Sequence, residues 1–179
     1  DEVAMNDEEE TDESFFNKQI LTICCVVQKG DDIVNTGMFS GKEEKILEDF
    51  SKFVRDNDPD VISGYNIEGY DLRVIKRRAE ELNVPLEWGR DGSLLLGLKD
   101  PKFNKLNWGV NGRIIVDAWW AAKMDLKPKQ ESLNAVSMQL LGGEQKLNVD
   151  PRKMDEEWEK DPQHVMEYCK KILSKELTV

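Results

Sequence analysis

An asparagine, three residues, an aromatic and then an aspartate form the first spacing in this chain that suggests chemistry. They are Asn66, Tyr70 and Asp71, within the stretch DPDVISGYNIEGYDLRVIKRRAEEL over residues 58–82. Asp60–Gly64 reads as a short strand, Tyr65-Asn66 as a turn, and the residues after it as a helix. A carboxylate on the first turn of a helix, at the carboxyl end of a strand, faces the crevice where α/β sheets bind ligands. The Asn66 amide suits a phosphate or a base edge, and Tyr70 offers a ring on which a nucleobase can stack. The plainer reading of the same residues is a turn asparagine and a helix-start carboxylate favoured by the helix dipole.

Other chemistries have little material. The chain of 179 residues has one histidine, His164, so a histidine metal cluster and a Ser-His-Asp triad are poorly supported. Acid–base work would fall to carboxylates, tyrosine or metal-bound water. The three cysteines, Cys24, Cys25 and Cys169, have neither a disulfide-framework nor a zinc-ligand spacing, and packing in a reducing cytoplasm is their expected role. A net charge of −11 argues against a broad basic face for duplex DNA. It leaves room for a small site holding one strand end, where bound cations supply the positive charge. The opening is acidic rather than basic and then apolar, so no signal peptide is expected. No apolar run approaches the roughly 20 residues of a membrane span.

The elements that must position these residues follow from periodicity. Residues 4–17 read as an acidic loop. Ile20–Val27 (ILTICCVV) reads as a buried strand, and Asp32–Phe39 as its hairpin partner. Glu43–Asp56 carries Ile46, Leu47, Phe50, Phe53 and Val54 at the spacing of an amphipathic helix, broken at Asp58-Pro59. A second helix spans about Gly69 to Leu82. Trp88–Trp108 reads as a hairpin with loops, Gly112–Asp117 as a strand, and Glu131–Leu141 as a helix. A short helix follows Pro151 and contains Trp158, and a last one covers about Gln163–Leu177. The order predicts one domain over residues 1–179 with a mixed sheet flanked by helices. A ribonuclease H-like layout satisfies that pattern without being selected by it. Asp117, at a strand end before Trp119 and Trp120, reads as a helix cap, and the two tryptophans as core and interface.

The stretch GYNIEGYD closely resembles the second exonuclease motif of family B DNA polymerases. WGRDGS (Trp88–Ser93), GRIIVDAWWAAK, LKPKQESLNAVSMQLLG, the Trp158 helix and VMEYCKK follow in that family's order, so the likeness runs from about Ile20 to Val179 and looks archaeal in type. The resemblance implies a fragment of a larger polymerase: a ribonuclease H-like, DEDD-type 3′→5′ proofreading exonuclease. Such a domain hydrolyses the 3′-terminal nucleotide of single-stranded DNA with two Mg²⁺ (or Mn²⁺) ions held by carboxylates. It also implies, as partners, a single-stranded 3′ end, the rest of the polymerase chain and, through the parent protein, a sliding clamp, in an archaeal cytoplasm at the nucleoid and without a membrane. No Asp-Thr-Asp sequence is present, so no polymerising site is expected.

Motif by motif, the resemblance carries over unevenly. The second motif is intact in Asn66, Tyr70 and Asp71. Ser132-Leu133, with Val136 following, resembles the family's single-strand-binding element: the serine would hold a phosphate and the leucine would wedge against a base. The plainer reading is a polar helix start and a core leucine. The first motif is Asp-x-Glu on the opening strand, whereas this chain reads Asp1-Glu2-Val3. Adjacent strand residues point to opposite faces. So either one residue is missing between Asp1 and Glu2, or Glu2 is the family's glutamate and the aspartate lies further upstream, or the acidic start carries no role. The third motif is Tyr, three residues, Asp. Tyr168 fits, but Ile172 stands at the acid position, and KKILSKEL matches the family if Asp-Ala is absent between Lys171 and Ile172. Expected catalytic residues are therefore Asp1, Glu2, Asp71 and Tyr168, with Asp1, Glu2 and Asp71 as metal ligands and Asn66, Tyr70, Ser132 and Leu133 as strand contacts. The alternative is a catalytically inactive domain that keeps the fold and a structural or single-strand-binding role.

Overall fold

A computed structural model describes residues 18–99, 106–141 and 154–176. Asp1, Glu2, the acidic loop and the start of the Trp158 helix at Pro151 lie outside these residues.

Two β-branched segments turn about Gly30, whose φ of 61° suits a residue without a Cβ. They become β1 (Thr22–Lys29) and β2 (Asp32–Ser40), paired antiparallel from Thr22↔Ser40 to Lys29↔Asp32, with an irregularity at Val27/Gln28. α1 (Glu43–Asn57) follows. It buries Ile46, Leu47, Phe50 and Val54, at the three-and-four spacing of one face. Asp58 ends it in a left-handed conformation, φ 44°, donating its N–H to the Val54 carbonyl, and Pro59 prevents continuation. β3 (Val61–Gly64) leads through a turn into α2 (Asp71–Glu81), which buries Leu72, Val74, Ile75 and Ala79. β4 (Leu96–Lys99) and β5 (Leu106–Gly109) pair antiparallel, and β6 (Ile114–Asp117) lies parallel to β3 in the register Val61↔Ile114 to Gly64↔Asp117. α3 (Ala118–Asp125), α4 (Leu133–Leu141), α5 (Met154–Lys160) and α6 (Pro162–Glu176) complete a mixed α/β chain.

One apolar cluster joins the first half of the chain. Leu47, Ile46, Leu72 and the fully buried Trp88 lie at its centre. Trp88 meets Phe50 edge-on at 5.3 Å and donates its Nε1–H to Ser51 Oγ at 3.0 Å, which satisfies the one polar atom the ring takes inside. Glu43 is also buried. Its carboxylate accepts the Ile20 N–H at 2.7 Å and two bonds from the Arg78 guanidinium at 2.7 and 2.6 Å, so α1 and α2 are tied where each starts and ends. A buried carboxylate persists only with partners of this kind.

Three expectations need correction. The single mixed sheet is present as separate ladders among the described residues, β1–β2 and β3–β6, with β4–β5 a third. Side chains rather than a ladder join the first two: Ile23, Cys25 and Phe39 of one pair and Ile62 and Ile115 of the other pack on the same core. The ILTICCVV strand is half-buried instead of enclosed, because only its alternate side chains reach that core. Trp120 is 41% exposed and is not core. It meets Trp119 edge-on at 4.8 Å, with the Lys123 ammonium 4.5 Å from the Trp119 ring.

Candidate functional site

The second-motif turn is fixed by more bonds than a turn of its length makes alone. Asn66 adopts φ 60°, a left-handed conformation that asparagine tolerates better than most residues. Its carbonyl accepts the N–H groups of Gly69 and Tyr70 at 3.1 and 2.9 Å. A Cβ at Gly69 would run into Asn66 Oδ1, so a larger residue there would displace the Asn66 amide. Asp117, buried at the end of β6, clamps the turn from below. Its Oδ1 accepts the Asn66 N–H at 2.8 Å and the Trp119 N–H at 2.9 Å, and its Oδ2 accepts the Glu68 N–H at 3.1 Å. The expected helix cap is therefore real, and the same carboxylate also holds the motif. Trp108 adds a third hold, donating Nε1–H to the Glu68 carbonyl at 2.9 Å.

From this platform the predicted strand contacts stand outward. Asn66 is exposed, Tyr70 occupies the N-cap position of α2 at 36% exposure, and Asp71 is the first, exposed residue of that helix. Leu72 and Val74, on the other side of the helix, face the core.

The Ser132 element is brought to the same place by one bond. The Tyr65 hydroxyl donates to the Glu131 carbonyl at 2.6 Å across 66 residues of sequence. Burial, and then the nearby charges of Glu131 and Asp117, push the Tyr65 pKa up, so the phenol stays a donor at neutral pH. Ser132 precedes α4 and caps it, its Oγ accepting the Ala135 N–H at 3.3 Å. Leu133 is half-buried and Val136 fully buried. Lys123 pairs with the Glu131 carboxylate at 3.1 Å, which attaches α3 to the same corner.

Tyr168 lies on α6, which packs against β1 and α4. Its ring is half-buried, and burial, with Cys169 adding to it, raises its pKa. Cys169 hydrogen-bonds Cys24 of β1 and, for that reason first and burial second, stays a protonated thiol. Burial likewise raises the Cys25 pKa to about 11. None of the three cysteines is in a disulfide. His164 is exposed at the start of α6. α6 continues through the Ile172 position without a break. Asp1 and Glu2 lie outside the described residues.

Among the described residues no group of three His, Cys, Asp or Glu side chains is placed to share a cation. Of the expected ligands only Asp71 is described, and an isoleucine, which offers no oxygen, stands at the third-motif position. Among the described residues the donors do not make up a two-ion site. Two residues central to the geometry, Tyr65 and Asp117 as a clamp, escape a sequence reading. Their partners are 66 and about 50 residues away, and no local spacing signals them. No described helix is long and apolar enough to cross a membrane.

Comparison with known proteins agrees with this layout. The family model for the exonuclease domain of family B DNA polymerases matches residues 4–136. The chain is 36% identical over 100 residues to a DNA polymerase of Archaeoglobus fulgidus, spanning 56% of this chain and 12% of that protein. It is 33% identical over 138 residues to the DNA polymerase delta catalytic subunit of Caenorhabditis elegans, spanning 71% of this chain and 13% of that protein. The structure of the family B DNA polymerase from Pyrobaculum calidifontis superposes with a TM-score of 0.65 at 25% identity, over 80% of this chain and 19% of that one. The chain thus spans a small part of its relatives' length, and it belongs to the family B DNA polymerases, within their exonuclease domain.

Proposed function

We propose that this chain is the 3′→5′ proofreading exonuclease domain of a longer DNA polymerase, with a ribonuclease H-like fold, and that it holds a single-stranded 3′ end more effectively than it hydrolyses one. The observation that carries this reading is the Tyr65–Glu131 bond, which sets the Asn66–Asp71 turn beside Ser132 and Leu133. An exposed ring at Tyr70, an exposed amide at Asn66 and a hydroxyl at Ser132 are the groups a strand end needs: a stacking face, a base or phosphate donor and a second phosphate contact. Mg²⁺ or Mn²⁺ belongs to the complete carboxylate set. That set requires Asp1, Glu2 and an acid where Ile172 stands, so no metal-dependent step is assigned to the chain as it is. The remaining polymerase chain and a sliding clamp are partners of the parent protein, at the DNA of an archaeal cell.

Binding tests the reading directly. Fluorescence anisotropy with a 5′-labelled thymidine oligonucleotide is expected to show tighter binding than to a blunt duplex of the same length. Tyr70→Ala is expected to weaken binding about tenfold, since stacking one base is worth roughly 1–3 kcal/mol, and Asn66→Ala and Ser132→Ala to weaken it several-fold. Equal affinity for duplex and single strand, or indifference to all three substitutions, would remove the proposed site.

A further inference from the structure

Beside the Ser132 element lies an open cleft of about 540 Å³, lined by Lys127, Lys129, Gln130, Ala135 and Gln139. The chain carries a net charge of −11, and several of its cations are already engaged. Lys45, Lys52, Lys76, Arg77, Arg78, Arg90 and Arg113 are each engaged by a carboxylate. Lys127 and Lys129 are exposed and make no ion pair among the described residues, yet they share one cleft with two glutamines. Glu131, two residues from Lys129, is held by Lys123 at 3.1 and 3.2 Å, and Asp125, two residues from Lys127, forms no ion pair with either lysine. The cleft also flanks the start of α4, which Ser132 caps.

We infer that this cleft is a second subsite for the same strand, with Lys127 and Lys129 binding backbone phosphates upstream of the terminal nucleotide. The inference rests on the strand-holding reading above and extends it along the strand. Unpaired cations beside a polar groove track a nucleic-acid backbone without reading its sequence. The Tyr65–Glu131 bond joins the second-motif turn to the residue that follows Gln130 of the cleft, so one strand would pass from stacking ring to phosphate track.

Salt dependence separates this role from a general charge effect. Each phosphate contact on a single strand contributes about 0.7 to the slope of log K against log salt. The double substitution Lys127→Ala/Lys129→Ala is expected to flatten that slope by about 1.4, measured with the thymidine oligonucleotide. Lys29→Ala/Lys42→Ala removes two equally unpaired lysines from other elements and is expected to leave the slope unchanged. An unaltered slope in the first variant, or the same flattening in both, overturns the inference. If Asn66→Ala and Tyr70→Ala weaken binding while the Lys127/Lys129 variant matches wild type, the strand-holding reading stands and the second subsite falls. Absence of binding by the unmodified chain overturns both.

Discussion

At the scale of single residues, one carboxylate organises the site without belonging to the set expected to meet the strand. Asp117 closes β6, caps α3 and accepts two N–H groups of the second-motif turn, so its two oxygens carry three bonds. Its cap role was legible in the sequence, because an aspartate between a strand pattern and AWWAAK is a helix-start signal. Its clamp role was not, because parallel pairing of β3 with β6 creates it by setting Gly64 opposite Asp117. Asp117→Asn keeps one acceptor and turns an amide N–H toward the Glu68 N–H. Losing that bond and leaving a donor unmatched should cost about 2 kcal/mol. For a chain of this size that lowers Tm by roughly 4–8 °C. A thermal melt of the variant checks it, and an unchanged Tm would mean the turn is held by Trp108 and Tyr65 alone.

At the scale of elements, the period-3.6 and period-2 patterns placed the four principal strands and every described helix but α3 to within a few residues, α3 being signalled only by its Asp117 cap. What they missed was how elements are joined, since contacts between distant segments leave no local period. The Tyr65–Glu131 bond is one such joint, and it predicts coupling. If Tyr65 sets the position of Ser132, then Ser132→Ala should cost less strand affinity in a Tyr65→Phe background than in wild type, because residues that act together are not additive. A double-mutant cycle read by oligonucleotide anisotropy measures this, and strict additivity would show that the two elements bind independently. A second joint is the Asp58 carboxylate, which pairs with Arg90 at 2.8 Å and with the buried Arg113 at 2.7 Å, Arg113 also donating to the Trp88 carbonyl at 2.7 Å. The Arg90 bond first, and then Arg113, hold the Asp58 pKa below the usual carboxylate value. A lowered folded pKa contributes stability that is present above the unfolded value, about 3.9, and is lost as pH falls through the folded one. Asp58→Asn should therefore flatten the fall of Tm below about pH 4 and leave the neutral range nearly parallel to wild type. A variant as acid-labile as wild type would place the acid sensitivity elsewhere.

For the whole molecule, the question is what the chain can do with a strand it holds. The chain matches the family B exonuclease-domain model over residues 4–136, and α6, which carries Tyr168, packs against α4. The resemblance expects the third-motif acid where the sequence has Ile172, and this was legible only because the motif's spacing was known: helical periodicity continues through Val165, Cys169 and Ile172 and marks nothing unusual. Residues four apart share a helix face. An acid four places after Tyr168 would thus sit on the tyrosine's side of α6, and inserting Asp-Ala after Lys171 restores it there. Mg²⁺ takes oxygen donors and surrenders its water reluctantly, so a site short of one carboxylate is expected to hold ions poorly. Each 1.4 kcal/mol of lost transition-state stabilisation costs about tenfold in rate, and removing a ligand that balances cation charge is expected to cost at least twice that. The chain as it is should therefore digest a 5′-labelled single strand at least about a hundredfold more slowly than the form carrying the insertion, in Mg²⁺ or Mn²⁺. Asp71→Ala should abolish what the insertion restores. Equal rates with and without the insertion, both lost on Asp71→Ala, would show that another carboxylate, such as Glu176, serves in place of the missing acid, and that hydrolysis belongs to the chain after all.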